Sequence, residues 1–462
     1  MVKRTPKAPR HEPPLLDPVE RLQGCSEVTL GFTAEEARAE ALRCLDCKDP
    51  TCIAACPLHI DVPSFIRRVI DADYAGAFQT ITETNPFPDI CGRVCQHELY
   101  CEKLCLLGKK LDPVAIGALE RFVADHQPAS DVQPPPNSGP KVAMVGSGPA
   151  SLIAAYDLAR RGYRIRIFEA LHDFGGVLRY GIPPFRLPRE VIDEEIQRLR
   201  QMGVELESDC IVGRSCTLDE LFAEGYAAVF VATGAGLPYL MGVPGEMLIG
   251  VYTANEFLTR INLMGAYDKD ADTPMTVGSS VAVIGGGNTA MDAVRSGIRM
   301  GAEHGYIVYR RSEKEMTARV EEYHHAQEEG VEFLWLTNPV AVLGNEAGWV
   351  TGLKCQRMVL GAPDASGRAR PVPVPDSEFV IPVDTVVLSI GTTPNPLLTR
   401  TTKGLDTNKW GCVVADERTG LTSKDQVYAG GDAVTGAATV ILAAGAGKRA
   451  AQAIHEALSG TG

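Results

Sequence analysis

Apolar and polar positions follow two textures along this chain. Up to about residue 126, short helical patterns alternate with cysteine-rich stretches. The sharpest helix signal there is Thr33-Ala-Glu-Glu36, a capping-box pattern that predicts a helix to about Arg43. Residues 1–24 mix charges with Pro6, Pro9, Pro13, Pro14 and Pro18 and read as an extended arm. Residues 128–140, PASDVQPPPNSGP, hold five prolines and no apolar period, which predicts a stiff linker. From Lys141 onward, short β-rich runs alternate with amphipathic helices, the pattern of a parallel α/β fold.

Two segments of this second part resemble each other. Residues 142–170 and 281–311 both read strand, glycine turn, helix, strand. They predict two nucleotide-binding units, the second inserted in the first, whose strands resume near Val383. A strand from Val427, then Gly-Gly-Asp, then a helix to about Leu458 closes the pattern.

The two turns differ in chemistry. Gly146-x-Gly148-x-x-Ser151 opens a helix, and Glu169 ends the following strand. Glycines there let backbone N–H groups approach a pyrophosphate, and an acid so placed accepts from a ribose. The second turn, Gly285-x-Gly287-x-x-Ala290, has Arg310 and Arg311 where that acid would stand. Such a guanidinium pair binds a 2′-phosphate, which assigns this turn to NADP(H); the alternative is a solvated surface pair. Ser147, Pro149 and Ala150 of the first turn, and Gly286, Asn288 and Thr289 of the second, complete the expected contacts. Gly430-Gly431-Asp432 precedes the late helix. Taken alone it is a turn; behind two such units, Asp432 is placed to accept from the ribityl hydroxyls of a flavin.

Composition narrows the class. A net charge of −13 argues against a nucleic-acid or anionic-membrane partner. No run reaches the roughly 18 apolar residues of a membrane span. The basic start leads into prolines rather than an apolar stretch, so the expected location is the cytoplasm. Of 13 cysteines, nine fall at or before Cys105, and reduced thiols so spaced point to metal or cluster binding. One group is Cys44, Cys47, Cys52 and Cys56, followed by Pro57; the other is Cys91, Cys95, Cys101 and Cys105. Their spacing echoes ferredoxin runs and allows two [4Fe–4S] clusters with crossed ligation. Structural zinc is the alternative, although only Cys44 and Cys47 have knuckle spacing. Cys25 stands alone as an ordinary thiol. The expected fold is α/β, with two Rossmann-like domains for FAD and NADPH preceded by an α-helical iron–sulfur domain. Its boundaries are 1–127, the linker 128–140, 141–250, 251–380 for the inserted NAD(P)H unit, and 381–462.

Over nearly its full length the chain resembles the small chain of NADPH-dependent glutamate synthase and its relatives. These include the large subunit of NADH-dependent ferredoxin:NADP oxidoreductase and the N-terminal half of dihydropyrimidine dehydrogenase. The resemblance rests on CLDCKDPTCIAACP, ICGRVC, VAIGALERF, FGGVLRYGIPPFRLP, VIGGGNTAMDAVR, YRRSEKEM and AGGDAVTGAATVILAAGAGKRAA. It looks closer to the ferredoxin:NADP reductase branch at 254–267 and 323–333. The resemblance implies one cluster on Cys44, Cys47, Cys52 and Cys105. It implies another on Cys56, Cys95, Cys101 and Glu120, with Cys91 a non-ligand. It also implies FAD at the first turn, lined by Gly176, Val177, Val212, Ala232, Thr233, Gly234, Gly431, Asp432 and Thr439. Gln96 and Thr317 depart from prolines common in the family.

The activity this implies is hydride exchange between NADP(H) and FAD, with electrons passed through two clusters to or from a partner subunit, possible bifurcation included. That partner is a small flavin/iron–sulfur reductase, a larger electron-transfer complex or, as the alternative reading, a glutaminase/FMN large chain of glutamate synthase. A thioredoxin-reductase-like dithiol is disfavoured, since Cys210, Cys216, Cys355 and Cys412 form no C-x-x-C. Glutamate synthesis by this chain alone is disfavoured too, because Val2 stands where a nucleophile is needed. A non-enzymatic scaffold would have lost the nicotinamide turn, which is intact.

Overall fold

The computed structural model describes residues 3–126, 137–268, 270–364 and 367–460. The expected linker lies, up to residue 136, outside the described residues. In the amino-terminal part Thr33 caps the helix Ala34–Ala41 with both bonds of the capping box, and the helix ends two residues before Arg43. Helices Val62–Ile70, Tyr74–Thr82, Pro88–Val94 and Ile116–Asp125 follow. They bury Phe65, Ile66, Ile81, Leu119 and Phe122 in a core that continues into the first α/β unit. A Cβ at Gly92 would stand 2.6 Å from the Arg121 amide, so two of these helices meet backbone to backbone.

The first unit is a parallel sheet in the order β15-β4-β1-β2-β3. Its strands are β1 (Lys141–Val145), β2 (Arg164–Phe168), β3 (Glu205–Glu207), β4 (Tyr226–Val231) and β15 (Val427–Ala429). The helices Pro149–Ala159 and Val440–Ser459 lie together on it. The second unit is a parallel sheet in the order β6-β13-β7-β8-β9. Its strands are β6 (Val251–Thr253), β7 (Ser280–Ile284), β8 (His304–Tyr309), β9 (Glu332–Trp335) and β13 (Thr385–Leu388). β5 (Leu237–Pro238) and β14 (Thr392–Thr393) pair antiparallel where the chain crosses between units.

One expectation is corrected, and one sheet is new. The strand foreseen near Val383 as the return to the first sheet is β13, seated between β6 and β7 of the second. All four of its residues are buried, as a central parallel strand requires, and the chain rejoins the first sheet only at β15. A third, antiparallel sheet of β10 (Thr337–Gly344), β11 (Val350–Pro363) and β12 (Ala369–Ile381) was not foreseen. Pro371, Pro373 and Pro375 sit in β12, an edge strand, where a missing N–H costs no ladder bond. Among the described residues no helix is long and apolar enough to cross a membrane.

Candidate functional site

β1 leads into Gly146, whose φ of +97° and whose missing Cβ, 2.5 Å from the Ala232 carbonyl, exclude other residues. Glu169, at the end of β2, folds back on this turn. Its carboxylate accepts from the Ser147 amide (2.9 Å), the Ser147 hydroxyl (2.5 Å) and the Leu171 amide (2.9 Å). Nothing lies within 4 Å of a Cβ at Gly148, so the start of the helix Pro149–Ala159 opens on free space. Gly176 closes over the turn, its missing Cβ 2.8 Å from Gly148 Cα. Ser151 Oγ is buried beneath, without a hydrogen-bond partner among the described residues.

The second turn repeats this backbone. Gly285 has φ +146°, and a Cβ there would stand 2.2 Å from the Ser389 carbonyl. Asn288 opens the helix Asn288–Arg299, and its Oδ1 accepts from the Arg319 amide at 2.8 Å. The expected arginine pair splits. Arg310 is exposed on the cavity, whereas Arg311 is buried and turned to the third sheet. Arg311 donates to the Ala369 carbonyl (2.9 Å) and pairs with Asp364 (2.6 Å).

Both turns open on one cavity of about 1350 Å³. All the expected nucleotide-contacting residues line it except Ala290, which is fully buried under the second turn in the core. The small side chain serves helix–strand packing. Burial pushes Asp432 up to about 6, opposed by the Ala438 amide. Burial, with the charges of Asp432 and Glu169, pushes the neighbouring Tyr180 up to about 12. Sequence reasoning missed Arg368, which also lines the cavity, and Arg186, which donates to both oxygens of Asp292 (2.8 and 2.9 Å) at its floor. Behind that pair, Arg295 bonds Glu322 and Glu329, and Arg299 bonds Glu329 at 2.7 Å. Phe185 lies under both guanidinium groups, 4.6 and 4.0 Å from them. No local pattern announces this network, because its members come from three separate segments.

The thiols form two sets. Cys44, Cys47, Cys52 and Cys105 surround one void; Cys56, Cys95, Cys101 and Glu120 surround another, which Cys91 also touches. Among the described residues no three His, Cys, Asp or Glu side chains converge as a single metal ion needs. Four thiols around one void, and three thiols with a carboxylate around the other, are donor sets of the kind that hold iron–sulfur clusters. Glu120 reaches the second void because Gly92 and Gly117 let its helix close on the cysteine-bearing one and on the His97 ring. Its carboxylate accepts from Asn85 Nδ2 at 2.7 Å, and Asn85 Oδ1 accepts from the Cys91 thiol at 3.7 Å. Burial, then the charges of Cys105 and Cys44, pushes Cys52 up to about 12. Thiolates there need the positive charge of bound metal. The sets differ in access: Cys56, Cys95 and Cys101 are buried, whereas Cys47, Cys52 and Cys105 are half-buried.

One thiol pair escaped the sequence. Cys210 and Cys216, brought together by the bridge between Val212 and Cys216, share a hydrogen bond beside the cavity. Burial, with Cys210 adjacent, pushes Cys216 up to about 12, which keeps it protonated and unreactive.

Comparison with known proteins agrees with this architecture. The family pattern "Dihydroprymidine dehydrogenase domain II, 4Fe-4S cluster" matches residues 21–132, and "Pyridine nucleotide-disulphide oxidoreductase" matches residues 140–457. The chain is 40% identical over 434 residues to the NADP(+)-dependent formate dehydrogenase subunit beta of Moorella thermoacetica, covering 88% of this chain and 60% of that one. It is 35% identical over 448 residues to the glutamate synthase [NADPH] small chain of Azospirillum brasilense, covering 94% of this chain and 92% of that one. FprA of Mycobacterium tuberculosis, solved with NADPH, shares the fold at a TM-score of 0.58 and 19% identity, over 70% of this chain and 85% of its own. The chain thus belongs to the pyridine nucleotide-disulphide oxidoreductases and, within them, to the glutamate synthase small-chain family: it is an NAD(P)H-dependent, FAD-linked oxidoreductase with an iron–sulfur domain.

Proposed function

We propose that this chain is an electron-entry subunit that exchanges a hydride between NADP(H) and FAD and passes electrons through two [4Fe–4S] clusters to or from a partner. The observation that carries this reading is a shared wall. In the helix Val440–Ser459, Val440 faces the nucleotide cavity while the next residue, Ile441, faces the void of Cys56, Cys95 and Cys101. The two sites are therefore separated by little more than one helix.

Bound FAD would supply the change from two-electron hydride transfer to single-electron transfer, and bound clusters would supply one-electron carriage. The protein's part is positioning. The open turn at Gly148 offers amides to a flavin pyrophosphate, Glu169 accepts from its ribose, and Asp432 accepts from the ribityl chain. Gly287 and Asn288 do the same for NADP(H), and Arg310 meets the 2′-phosphate. Arg311 acts at one remove, by clamping the third sheet beside Arg310. Cys56, Cys95, Cys101 and Glu120 hold the cluster nearer the flavin, and Cys91 stays a thiol bonded to Asn85. Cys44, Cys47, Cys52 and Cys105, half open to solvent apart from Cys44, hold the outer one, where the partner docks.

Anaerobic titration with NADPH should bleach the flavin band and then raise the reduced-cluster signal in electron paramagnetic resonance. Holo-protein whose flavin stays oxidised under excess NADPH defeats the reading. The near-complete coverage of the Azospirillum small chain favours a second reading of the partner, a glutaminase/FMN large chain. Glutamine-dependent glutamate formation on adding such a chain would select it. Relatives named as a beta subunit and a small chain support a partner in either case.

A further inference from the structure

One contact between the iron–sulfur domain and the nucleotide cavity has no part in the reading above. The Tyr100 hydroxyl lies 2.9 Å from Thr439 Oγ1, although the two residues are 339 positions apart. Tyr100 lines the void of Cys56, Cys95 and Cys101, and it immediately precedes Cys101. Thr439 lines the nucleotide cavity and is the N-cap of the helix Val440–Ser459. The pair is thus a single hydrogen bond with one end at each redox site.

The donor count of a threonine gives this bond a direction. A hydroxyl has one proton and two lone pairs. Thr439 Oγ1 accepts from the Leu442 amide at 3.4 Å as the helix cap, and the phenol, being the more acidic hydroxyl, is the better donor to the remaining lone pair. With both lone pairs used, the threonine's own proton is left for the cavity. We infer that the Tyr100 hydroxyl, by donating to Thr439, makes Thr439 a hydrogen-bond donor toward the flavin and so ties the flavin's environment to the iron–sulfur domain. This rests on the assignment of FAD to the first turn. Tyr100 is a positioning residue in this scheme: it acts on the flavin only through Thr439. Two hydroxyls in line polarise each other, so the bond at the flavin end weakens when the phenol is removed. A donor at that end favours the electron-rich reduced flavin.

The neighbouring packing keeps the geometry fixed. A Cβ at Gly445 would stand 3.1 Å from the Pro57 carbonyl, and one at Gly447 would stand 2.1 Å from the Ala150 carbonyl. The same helix is therefore pressed between the Cys56–Pro57 loop and the glycine-turn helix, which holds the Thr439 end of the pair close to both.

The test is a redox titration of the flavin in holo-protein, comparing Tyr100→Phe, Thr439→Val and the double variant, each with its FAD, iron and sulfide content measured. Tyr100→Phe should shift the reduced-to-oxidised flavin ratio at a fixed potential toward the oxidised form by about three- to tenfold. Thr439→Val should shift it the same way, and the double variant no further than Thr439→Val alone. Thr439→Ser should restore dependence on Tyr100. An unshifted Tyr100→Phe flavin, or additive shifts in the double variant, overturns the inference. Wild-type protein that binds no flavin, or whose flavin NADPH never reduces, overturns the functional reading instead, so the two failures are told apart.

Discussion

The two glycine turns have the same backbone and opposite finishes. At the first, the acid that ends the second strand returns to its own loop: Glu169 is bonded to Ser147, 22 residues away, and Ser147 Oγ accepts from Gly175. At the second, Arg311 is engaged by Asp364, 53 residues away in the connection between β11 and β12, and Asn288 by the Arg319 loop. The helix below that turn is held by a buried ionic network reaching Glu322, Glu329 and Arg186. The first turn's polar bonds stay within its own strand–turn–strand segment, whereas those around the second reach the β11–β12 connection and the buried ionic network. Changes in those distant segments should therefore disturb the second turn more than the first.

The largest effect should come from Arg295→Met. It leaves Glu322 and Glu329 buried with one cation fewer and should destabilise the protein by about 3–5 kcal/mol in chemical denaturation. Wild-type stability in this variant would mean the network only breaks even with apolar packing. The same network has a pH signature. Burial pushes the Glu322 and Glu329 carboxyls up, but Arg186, Arg295 and Arg299 outweigh it and bring both down to about 2. Groups lowered in the folded state lend stability above their ordinary value of 4.5 and lose it as pH falls through about 2. Asp292 has the opposite sign: burial outweighs Arg186 and raises it to about 6, so its contribution is present below 3.8 and fades as pH rises through about 6. Denaturation midpoints across this range should show the acid-side slope shrinking in Arg295→Met.

Next in size are the turns themselves. Gly285→Ala places a Cβ against the Ser389 carbonyl and should weaken NADPH binding by about tenfold to a hundredfold while FAD is retained; Gly146→Ala should empty the flavin site instead. Calorimetric NADPH affinity and the flavin content of each variant would read this, and equal losses of both cofactors in both variants would erase the contrast. Arg310→Ala should raise the NADPH dissociation constant by about ten- to a hundredfold and move NADH affinity far less. Equal losses for the two nucleotides would remove Arg310 from the 2′-phosphate. The smallest effect belongs to Ser147→Ala, about 1 kcal/mol in denaturation, because Glu169 keeps its backbone donors.

Much of this was legible in the chain because the signals are local. Thr33 with Glu36, the glycine turns and the cysteine spacings each announce themselves within a few residues. What hid was long-range. The prolines of β12 argue against a strand until its place at a sheet edge is known. β13 reads equally well as a buried strand of either unit, and only its register with Val281 and Val283 decides. The divergence of Arg310 and Arg311 depends on Asp364 and Ala369, which no periodicity connects to them. Glu120 looks like any helical glutamate, and its part in a thiol set came from a resemblance, not from its neighbours.

The helix Val440–Ser459 has a bearing on assembly. Its Ile441 walls one side of a void whose thiols were translated hundreds of residues earlier. On the ribosome, Cys56, Cys95 and Cys101 would emerge and fold while that side still faces solvent. On the proposed cluster assignment, iron and sulfide would have an open door for most of the synthesis of the chain, and the door would shut when this helix docks. Delivery after docking would require the helix to lift off, so maturation factors would act best on the nascent or partly folded protein.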